Sequence, residues 1–145
     1  MAKIKGSISI EQPVEVVFDE VADIRNEPTY NPNMISAELK TEEPIGKGSE
    51  FFAKVKSRND TMDISITYTE FRKSEYIGSQ TISDNMVVNG GLTFSSSDNG
   101  TLLEWEWDVR LRGNLKLFTP LISILGNRQE NEIWQGLKAK LEKRD

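Results

Sequence analysis

The most regular part of the sequence is LEWEWDVRLR, at positions 103–112. Its apolar members occupy every second position and are Leu103, Trp105, Trp107, Val109 and Leu111. Because successive side chains of a β-strand point to opposite faces, this alternation predicts a strand with one buried and one charged, solvated face. Strands of this kind are typical of antiparallel sheets that are covered on one side only.

Weaker stretches of the same alternation precede this strand, and together they predict about six strands between Met34 and Arg112. In the first of them we expect Ile35 to share a face with Ala37 and Leu39. The Asn99-Gly100 pair predicts a hairpin turn, since both residues tolerate positive φ. Residues 89–91, Asn-Gly-Gly, predict a bulge or a close backbone approach within a strand. Short turns between consecutive strands indicate an antiparallel meander.

The N-terminal part predicts a strand followed by helices. Residues 4–10 alternate in the manner of a strand, and Pro13 is suited to the start of a helix. Val14, Val17, Phe18 and Val21 then recur at helical spacing. The segment 26–33 contains two prolines and predicts a short helical turn or a loop.

The C-terminal segment predicts a long helix that covers the apolar face of the sheet. We expect it to start at Thr119-Pro120 or near Asn114, in which case Pro120 would kink it. Its apolar stripe contains Leu121, Ile122, Leu125, Ile133, Trp134, Leu137 and Leu141. The predicted fold class is α+β: a curved antiparallel sheet of about seven strands around a long C-terminal helix, with one or two short helices after the first strand. We expect a single domain over residues 1–145.

Composition narrows the classes of function. The net charge of −5 argues against a nucleic-acid partner, because phosphate binding needs clustered positive charge. There is no Cys and no His, so thiolate chemistry is excluded and the commonest general base and metal ligand are missing. We therefore expect no metal and no cofactor. Without a signal-like segment or an apolar run near the ~20 residues of a bilayer span, we expect a cytoplasmic protein with no stable membrane insertion.

The order of elements resembles the START-like, or SRPBCC, superfamily with its helix-grip fold, and within it the polyketide cyclase/dehydrase and lipid-transport branch. The matching segments are ISIEQPVEVVF at 8–18, Asn31-Pro32, IGKG at 45–48, GTLLEW at 100–105 and the last helix with Glu130, Leu137 and Leu141. The resemblance implies a cavity between sheet and long helix that holds a lipid, a polyketide or a similar molecule. Members often carry a Trp near the Asn-Pro pair, where this chain has Tyr30.

The candidate ligand-contacting residues are apolar and aromatic side chains predicted to face inward. They are Tyr30, Phe51, Tyr68, Leu92, Phe94, Trp105, Trp107, Phe118 and Ile122. Each of them also has a purely structural interpretation, as a core residue without ligand contact. Within this set, Tyr30 and Tyr68 carry hydroxyl groups that could hydrogen-bond a ligand. We expect Tyr68 to be the only titratable side chain on the inner face. The acidic run Glu104, Glu106 and Asp108 is expected on the solvated face, without a metal.

Three functions follow as alternatives. The first is binding or transport of a small hydrophobic ligand. The second is a cyclase or dehydratase that uses Tyr or carboxylate acid–base chemistry, with catalytic residues that the sequence leaves unassigned. The third is a protein-interaction module that uses the apolar stretch 115–125. A homodimer through an outer strand edge is compatible with each.

Overall fold

The computed structural model describes residues 2–57, 60–112 and 119–143. Its elements follow in the predicted order. The strands are β1 (Ala2–Ile10), β2 (Met34–Leu39), β3 (Glu50–Ser57), β4 (Asp60–Arg72), β5 (Tyr76–Ile82), β6 (Met86–Ser97) and β7 (Gly100–Leu111). The helices are α1 (Val14–Ala22), a 3₁₀ helix (Ile24–Thr29) and α2 (Thr119–Glu142).

The strands form one antiparallel sheet of seven, in the order β1-β7-β6-β5-β4-β3-β2. This confirms the α+β architecture and the six-strand meander after the short helices. The first strand pairs with the last, so that Ile8 lies opposite Leu103 and Gly6 lies opposite Trp105. A Cβ at Gly6 would clash with the Trp105 indole, so the glycine leaves the space that this ring occupies. The alternation of β7 places Leu103, Trp105, Val109 and Leu111 in the core.

Two local features of the sheet depart from simple alternation. In β2 the register shifts between Met34 and Ser36. Met34 is therefore buried while Ile35 is 46% exposed, and the expectation that Ile35 faces the core with Ala37 and Leu39 is wrong. In β6 the strand runs on through Gly90, which has a φ of +149°. A Cβ there would meet the Glu106 carbonyl oxygen, so the glycine permits a close backbone approach.

The short helices close one end of the sheet. Val17, Phe18, Val21 and Ala22 of α1 are buried, Val14 packs against the core, and Glu15, Val16 and Asp19 are exposed. Asp23 caps the following 3₁₀ helix, because its Oδ1 accepts a hydrogen bond of 3.0 Å from the Arg25 backbone N–H. The 3₁₀ helix thus starts directly where α1 ends, and the predicted helical turn extends from Ile24 to Thr29.

Helix α2 lies against the sheet and the short helices. Trp134 and Leu137 are buried on its inner side. Two glycines permit the contact: a Cβ at Gly126 would meet Ile4, and one at Gly136 would meet the Tyr30 carbonyl oxygen. An earlier start of this helix, near Asn114, would lie in residues 113–118, which are outside the described residues. The apolar stretch 115–125, on which the predicted protein-interaction role depends, also lies there or in helix positions whose side chains are not described.

The C-terminal end of α2 is fixed by polar contacts to the N-terminal elements. The Lys138 ammonium donates a hydrogen bond of 2.6 Å to the Ser9 carbonyl oxygen. The Lys140 ammonium lies 2.6 Å from a carboxylate oxygen of Glu20 in α1. These contacts hold the helix across the sheet at the position that encloses the site.

We expect Leu137→Ala to lower the free energy of unfolding by about 3 kcal/mol, because it deletes a side chain with no exposed surface. Ile35→Ala is the matched control, and since Ile35 is 46% exposed its loss should stay below about 1 kcal/mol. Urea unfolding monitored by tryptophan fluorescence measures both. Equal losses would contradict the packing described for α2.

Candidate functional site

A cavity of about 450 Å³ lies between the concave face of the sheet and helix α2. This volume falls in the range of ligand pockets for small molecules. Most of its wall is apolar and includes Ile64, Ile66, Ile77, Val88, Leu92 and Ile133. Polar side chains interrupt this wall at several points, among them Ser79 and Thr81, which share the inner side of β5 with Ile77. An apolar wall with a few placed polar groups is the usual character of a small-molecule site.

The candidate residues separate into cavity wall and core. Tyr68, Leu92 and Trp107 line the cavity. Tyr30, Phe51, Phe94 and Trp105 are buried but do not belong to its lining. Phe118 lies outside the described residues, and so does the side chain of Ile122 in α2. Ligand contact remains a prediction for all of them.

Aromatic packing explains why several candidates are core. Phe94 makes an edge contact with Phe18 at 5.0 Å between ring centroids, and Phe51 packs against Tyr68 at 5.3 Å. The Trp105 indole stacks on that of Trp134 at 6.0 Å. Tyr30 approaches Trp134 at 6.3 Å. These rings pack against one another and against the helices, and other side chains line the cavity.

The Tyr68 hydroxyl is committed to the fold. It donates a hydrogen bond of 2.6 Å to the Ala22 carbonyl oxygen at the end of α1. Burial, with the nearby charge of Glu27, raises the pKa of this phenol well above its usual value. Tyr68 therefore lines the cavity with its ring and serves poorly as an acid or base. The Tyr30 hydroxyl is buried without a hydrogen-bond partner, but it does not line the cavity.

Two carboxyl groups line the cavity that the sequence interpretation missed. Glu130 of α2 accepts a hydrogen bond of 2.8 Å at Oε2 from the Trp134 indole N–H. Glu27 of the 3₁₀ helix accepts one of 2.7 Å from the Asn31 side-chain amide. The expectation that Tyr68 is the only titratable side chain on the inner face is therefore wrong.

Burial raises the pKa of both carboxyl groups and so favours their protonated forms. It raises the pKa of Glu130 to about 8, the charge of Glu27 adds to the effect, and the Trp134 and Trp107 indoles oppose it. Burial also raises the pKa of Glu27, against the hydrogen bond from Asn31. Near neutral pH, Glu130 is consequently a neutral acid in a mostly apolar wall. A carboxylic acid in that state can donate a hydrogen bond or a proton.

The sequence carries a signal for Glu130 and none for Glu27. Glu130 lies four residues before Trp134 and seven before Leu137, so it falls on the buried stripe of the helix. A charged residue on an apolar stripe indicates a functional group more often than a solvated one. Glu27 stands in a short segment beside Pro28, where no periodicity assigns a face.

The acidic run of β7 lies on the outer face of the sheet, as expected. Glu104 and Glu106 are exposed there, and with Asp108 they border a wide depression of about 660 Å³ that also contains Lys5 and Tyr76. This depression is more polar than the cavity. Within residues 2–57, 60–112 and 119–143, no group of three acidic side chains is arranged to hold a metal ion.

A family model described as "Polyketide cyclase / dehydrase and lipid transport" matches residues 1–142. The chain belongs to this family. Membership confirms the resemblance to the polyketide cyclase/dehydrase and lipid-transport branch that was inferred from the sequence. No curated protein matches the chain significantly. Among the helices of the described residues, none combines the length and apolarity that crossing a bilayer requires.

Solved structures of the same fold include several bacterial proteins. A START superfamily protein from Mycobacterium smegmatis has a TM-score of 0.85 at 14% identity, with 98% of each chain covered. The Zhui aromatase/cyclase from Streptomyces sp. R1128 has a TM-score of 0.81 at 12% identity, covering 97% of this chain and 93% of that one. A protein from Thermus thermophilus has a TM-score of 0.79 at 14% identity, with 96% of each chain covered. At these identities the likeness shows the helix-grip fold alone.

The raised pKa of Glu130 predicts a pH-dependent stability. In the folded protein Glu130 keeps its proton up to a pH of about 8, whereas in the unfolded chain it loses the proton at a lower pH. The contribution of protonated Glu130 to stability is therefore complete at low pH and is lost as the pH rises towards about 8. We expect the unfolding free energy of the parent protein to fall relative to that of Glu130→Gln by roughly 2–4 kcal/mol between about pH 5 and pH 8.5.

Urea unfolding at a series of pH values measures this difference. Glu132→Gln is the control, because Glu132 is exposed on the same helix. A parent protein whose stability runs parallel to that of Glu130→Gln across this range would show that Glu130 ionises normally.

Proposed function

We propose that this protein binds a small, largely apolar molecule, such as a lipid or a polyketide, in the cavity between the sheet and helix α2. The observation that carries the proposal is the cavity itself, with its volume of about 450 Å³ and its predominantly apolar wall. A polypeptide normally fills such a space with side chains, because unfilled apolar volume costs stability. Family membership supports a ligand as the occupant.

The polar groups of the wall support a ligand that carries polar groups on an apolar body. Glu27, Asn31 and Glu130 border the cavity from the 3₁₀ helix, the residues after it and α2, and Ser79 and Thr81 border it from β5. Isoleucines of β4 and β5 supply much of the apolar surface. The proposal also includes a cytoplasmic location and, as a further prediction, a homodimer through an edge strand, β1 or β2.

Native mass spectrometry of the freshly purified protein tests the proposal. We expect a discrete mass above that of the polypeptide, which disappears on denaturation. Thr81→Trp should weaken or abolish it, because Thr81 lines the cavity and the larger side chain takes up part of the space. Gln80→Trp is the matched control, since its neighbour position on β5 does not line the cavity, and it should keep the bound mass.

If the parent protein and both variants show only the mass of the polypeptide, all three are titrated with N-phenyl-1-naphthylamine, a neutral apolar fluorophore. Fluorescence enhancement in the parent and in Gln80→Trp, but not in Thr81→Trp, supports the cavity as the site. Binding that is indifferent to Thr81→Trp, in either experiment, contradicts it.

Acid–base catalysis on an apolar ketone is a second candidate function. The observation that favours it is Glu130, a carboxyl group with a pKa of about 8 on the cavity wall. A group with that pKa can both donate and accept a proton near neutral pH, and the cavity would hold the substrate beside it. The Tyr alternative is weakened for Tyr68, whose hydroxyl is bound to Ala22.

This second function predicts proton exchange in a bound ketone. In D₂O the protein should accelerate deuterium incorporation at the methyl group of 2-acetylnaphthalene, followed by NMR. Glu130→Gln should reduce the acceleration by about 100-fold, the usual size of a general acid–base contribution. Glu132→Gln, on the exposed side of the helix, should leave it unchanged. Equal rates with and without protein would remove this candidate and leave ligand binding untouched.

A further inference from the structure

A buried hydroxyl group without a partner lies on the part of the cavity wall that β5 forms. Ser79 is 7% exposed and lines the cavity on the same side as Ile77 and Thr81. Within the described residues its hydroxyl makes no hydrogen bond, and it keeps surface that is open to the cavity. In that respect it differs from the enclosed Nε1 atoms of Trp105 and Trp107. A molecule in the cavity can therefore reach the Ser79 hydroxyl.

The neighbours of Ser79 in the sheet do not satisfy this hydroxyl. Ser79 pairs with Tyr68 of β4 and with Gly90 of β6. The Tyr68 hydroxyl donates its hydrogen bond to the Ala22 carbonyl oxygen. Position 90 carries no side chain, and a Cβ there would clash with the Glu106 carbonyl oxygen. The sheet thus leaves the Ser79 hydroxyl free to bind a molecule in the cavity.

A second hydroxyl follows on the same side of β5. Thr81 lines the cavity and pairs with Ile66 and Val88, whose side chains carry no hydrogen-bonding atom. Two residues along a strand correspond to about 7 Å, so the two hydroxyls form a short polar row in an apolar part of the wall. Thr81 is only partly buried, whereas Ser79 is more than nine-tenths buried. Ser79 is therefore the position at which a missing partner is least favourable.

Ser83 shows how the same residue type is satisfied elsewhere on this wall. It is 6% exposed and lines the cavity directly after β5. Its hydroxyl donates a hydrogen bond of 3.1 Å to the side-chain oxygen of Asn85 and lies 3.4 Å from the Met86 carbonyl oxygen. Ser79 and Ser83 thus share residue type, burial and a place on the wall, and they differ in whether the chain supplies a partner. The two residues are a natural matched pair.

We propose that the Ser79 hydroxyl binds a neutral oxygen atom, of a hydroxyl or a carbonyl group, on the part of the ligand that lies along β5. The inference rests on the proposed binding function and adds a requirement for the body of the ligand. A serine hydroxyl both donates and accepts hydrogen bonds, so it matches either group. None of the residues beside it on β5 or opposite it on β4 and β6 carries a positive charge, so a carboxylate would be buried there without a counter-charge. A hydrocarbon chain would leave the hydroxyl unpaired.

Two naphthalenes of nearly equal shape test this assignment. 2,6-Dihydroxynaphthalene carries hydroxyl groups at the positions where 2,6-dimethylnaphthalene carries methyl groups. Equilibrium dialysis near pH 7 gives the ratio of the two affinities, and the cost of desolvating each ligand is the same for every variant. Ser79→Ala should lower the ratio of diol to hydrocarbon affinity by about three- to tenfold, as the loss of one net hydrogen bond gives. Ser83→Ala should retain the ratio, because the chain already binds its hydroxyl.

The stability of the same two variants separates ligand binding from a structural role. In the ligand-free protein, Ser83→Ala should lower the melting temperature by about 3 °C, because it removes a hydrogen bond within the chain. Ser79→Ala should not lower the melting temperature, since it removes a hydroxyl that has no partner in the chain. A loss for Ser79→Ala as large as that for Ser83→Ala would overturn the assignment.

A crystal structure of the complex with 2,6-dihydroxynaphthalene shows the contact directly. One hydroxyl oxygen of the ligand should lie about 2.8 Å from Oγ of Ser79. A bound diol whose oxygen atoms both lie away from Ser79 overturns the assignment, and so does an unchanged affinity ratio in Ser79→Ala. Each of these results leaves cavity binding intact, whereas failure of both naphthalenes to bind would count against the proposed function itself.

Discussion

The contact between the indole rings of Trp134 and Trp105 determines how the rest of the molecule encloses its cavity. The rings stack at 6.0 Å and join helix α2 to the last strand of the sheet. Tyr30 packs near the same Trp134, so the 3₁₀ helix is brought to this point as well. With the helix fixed here, Glu130 comes to lie one turn away, on the cavity wall. The same contact of Trp134 with Trp105 therefore fixes the helix on the sheet and positions Glu130 on the cavity wall.

A curved sheet that is covered by a single helix leaves an unfilled space between the two. The helix closely contacts β1 at Gly126 and the end of the 3₁₀ helix at Gly136, where a Cβ would meet Ile4 or the Tyr30 backbone. Elsewhere the concave face is too wide for one helix to fill, and the remaining volume is the cavity of about 450 Å³. Polar side chains border it from the short helices and α2, and also from β5 and the turn that follows it. A ligand that enters is thus offered a mostly apolar wall with hydrogen-bonding groups on both sides.

The sequence predicted the fold well because periodicity determines which face of each element is buried. The alternation of β7, the antiparallel meander of β2 to β7 and the covering helix were predicted correctly, whereas the pairing of β1 with β7 was not predicted. The site was less accessible, since periodicity separates inside from outside but does not separate core from cavity wall. Phe51 and Phe94 were thus grouped with Leu92, although only Leu92 lines the cavity. Glu130 was named only among the residues of the last helix that match the family, and not as a site residue, although its spacing places it on the buried stripe.

Methyl NMR of the protein labelled at the isoleucine δ1 carbons tests the central claim most directly. Ile64, Ile66, Ile77 and Ile133 line the cavity, whereas Ile35 and Ile82 are exposed outside it. On addition of N-phenyl-1-naphthylamine, the account predicts shifts and intermolecular contacts at the cavity methyl groups and unchanged signals at Ile35 and Ile82. Contacts confined to Ile35 or Ile82, with the cavity methyl groups unaffected, would contradict it.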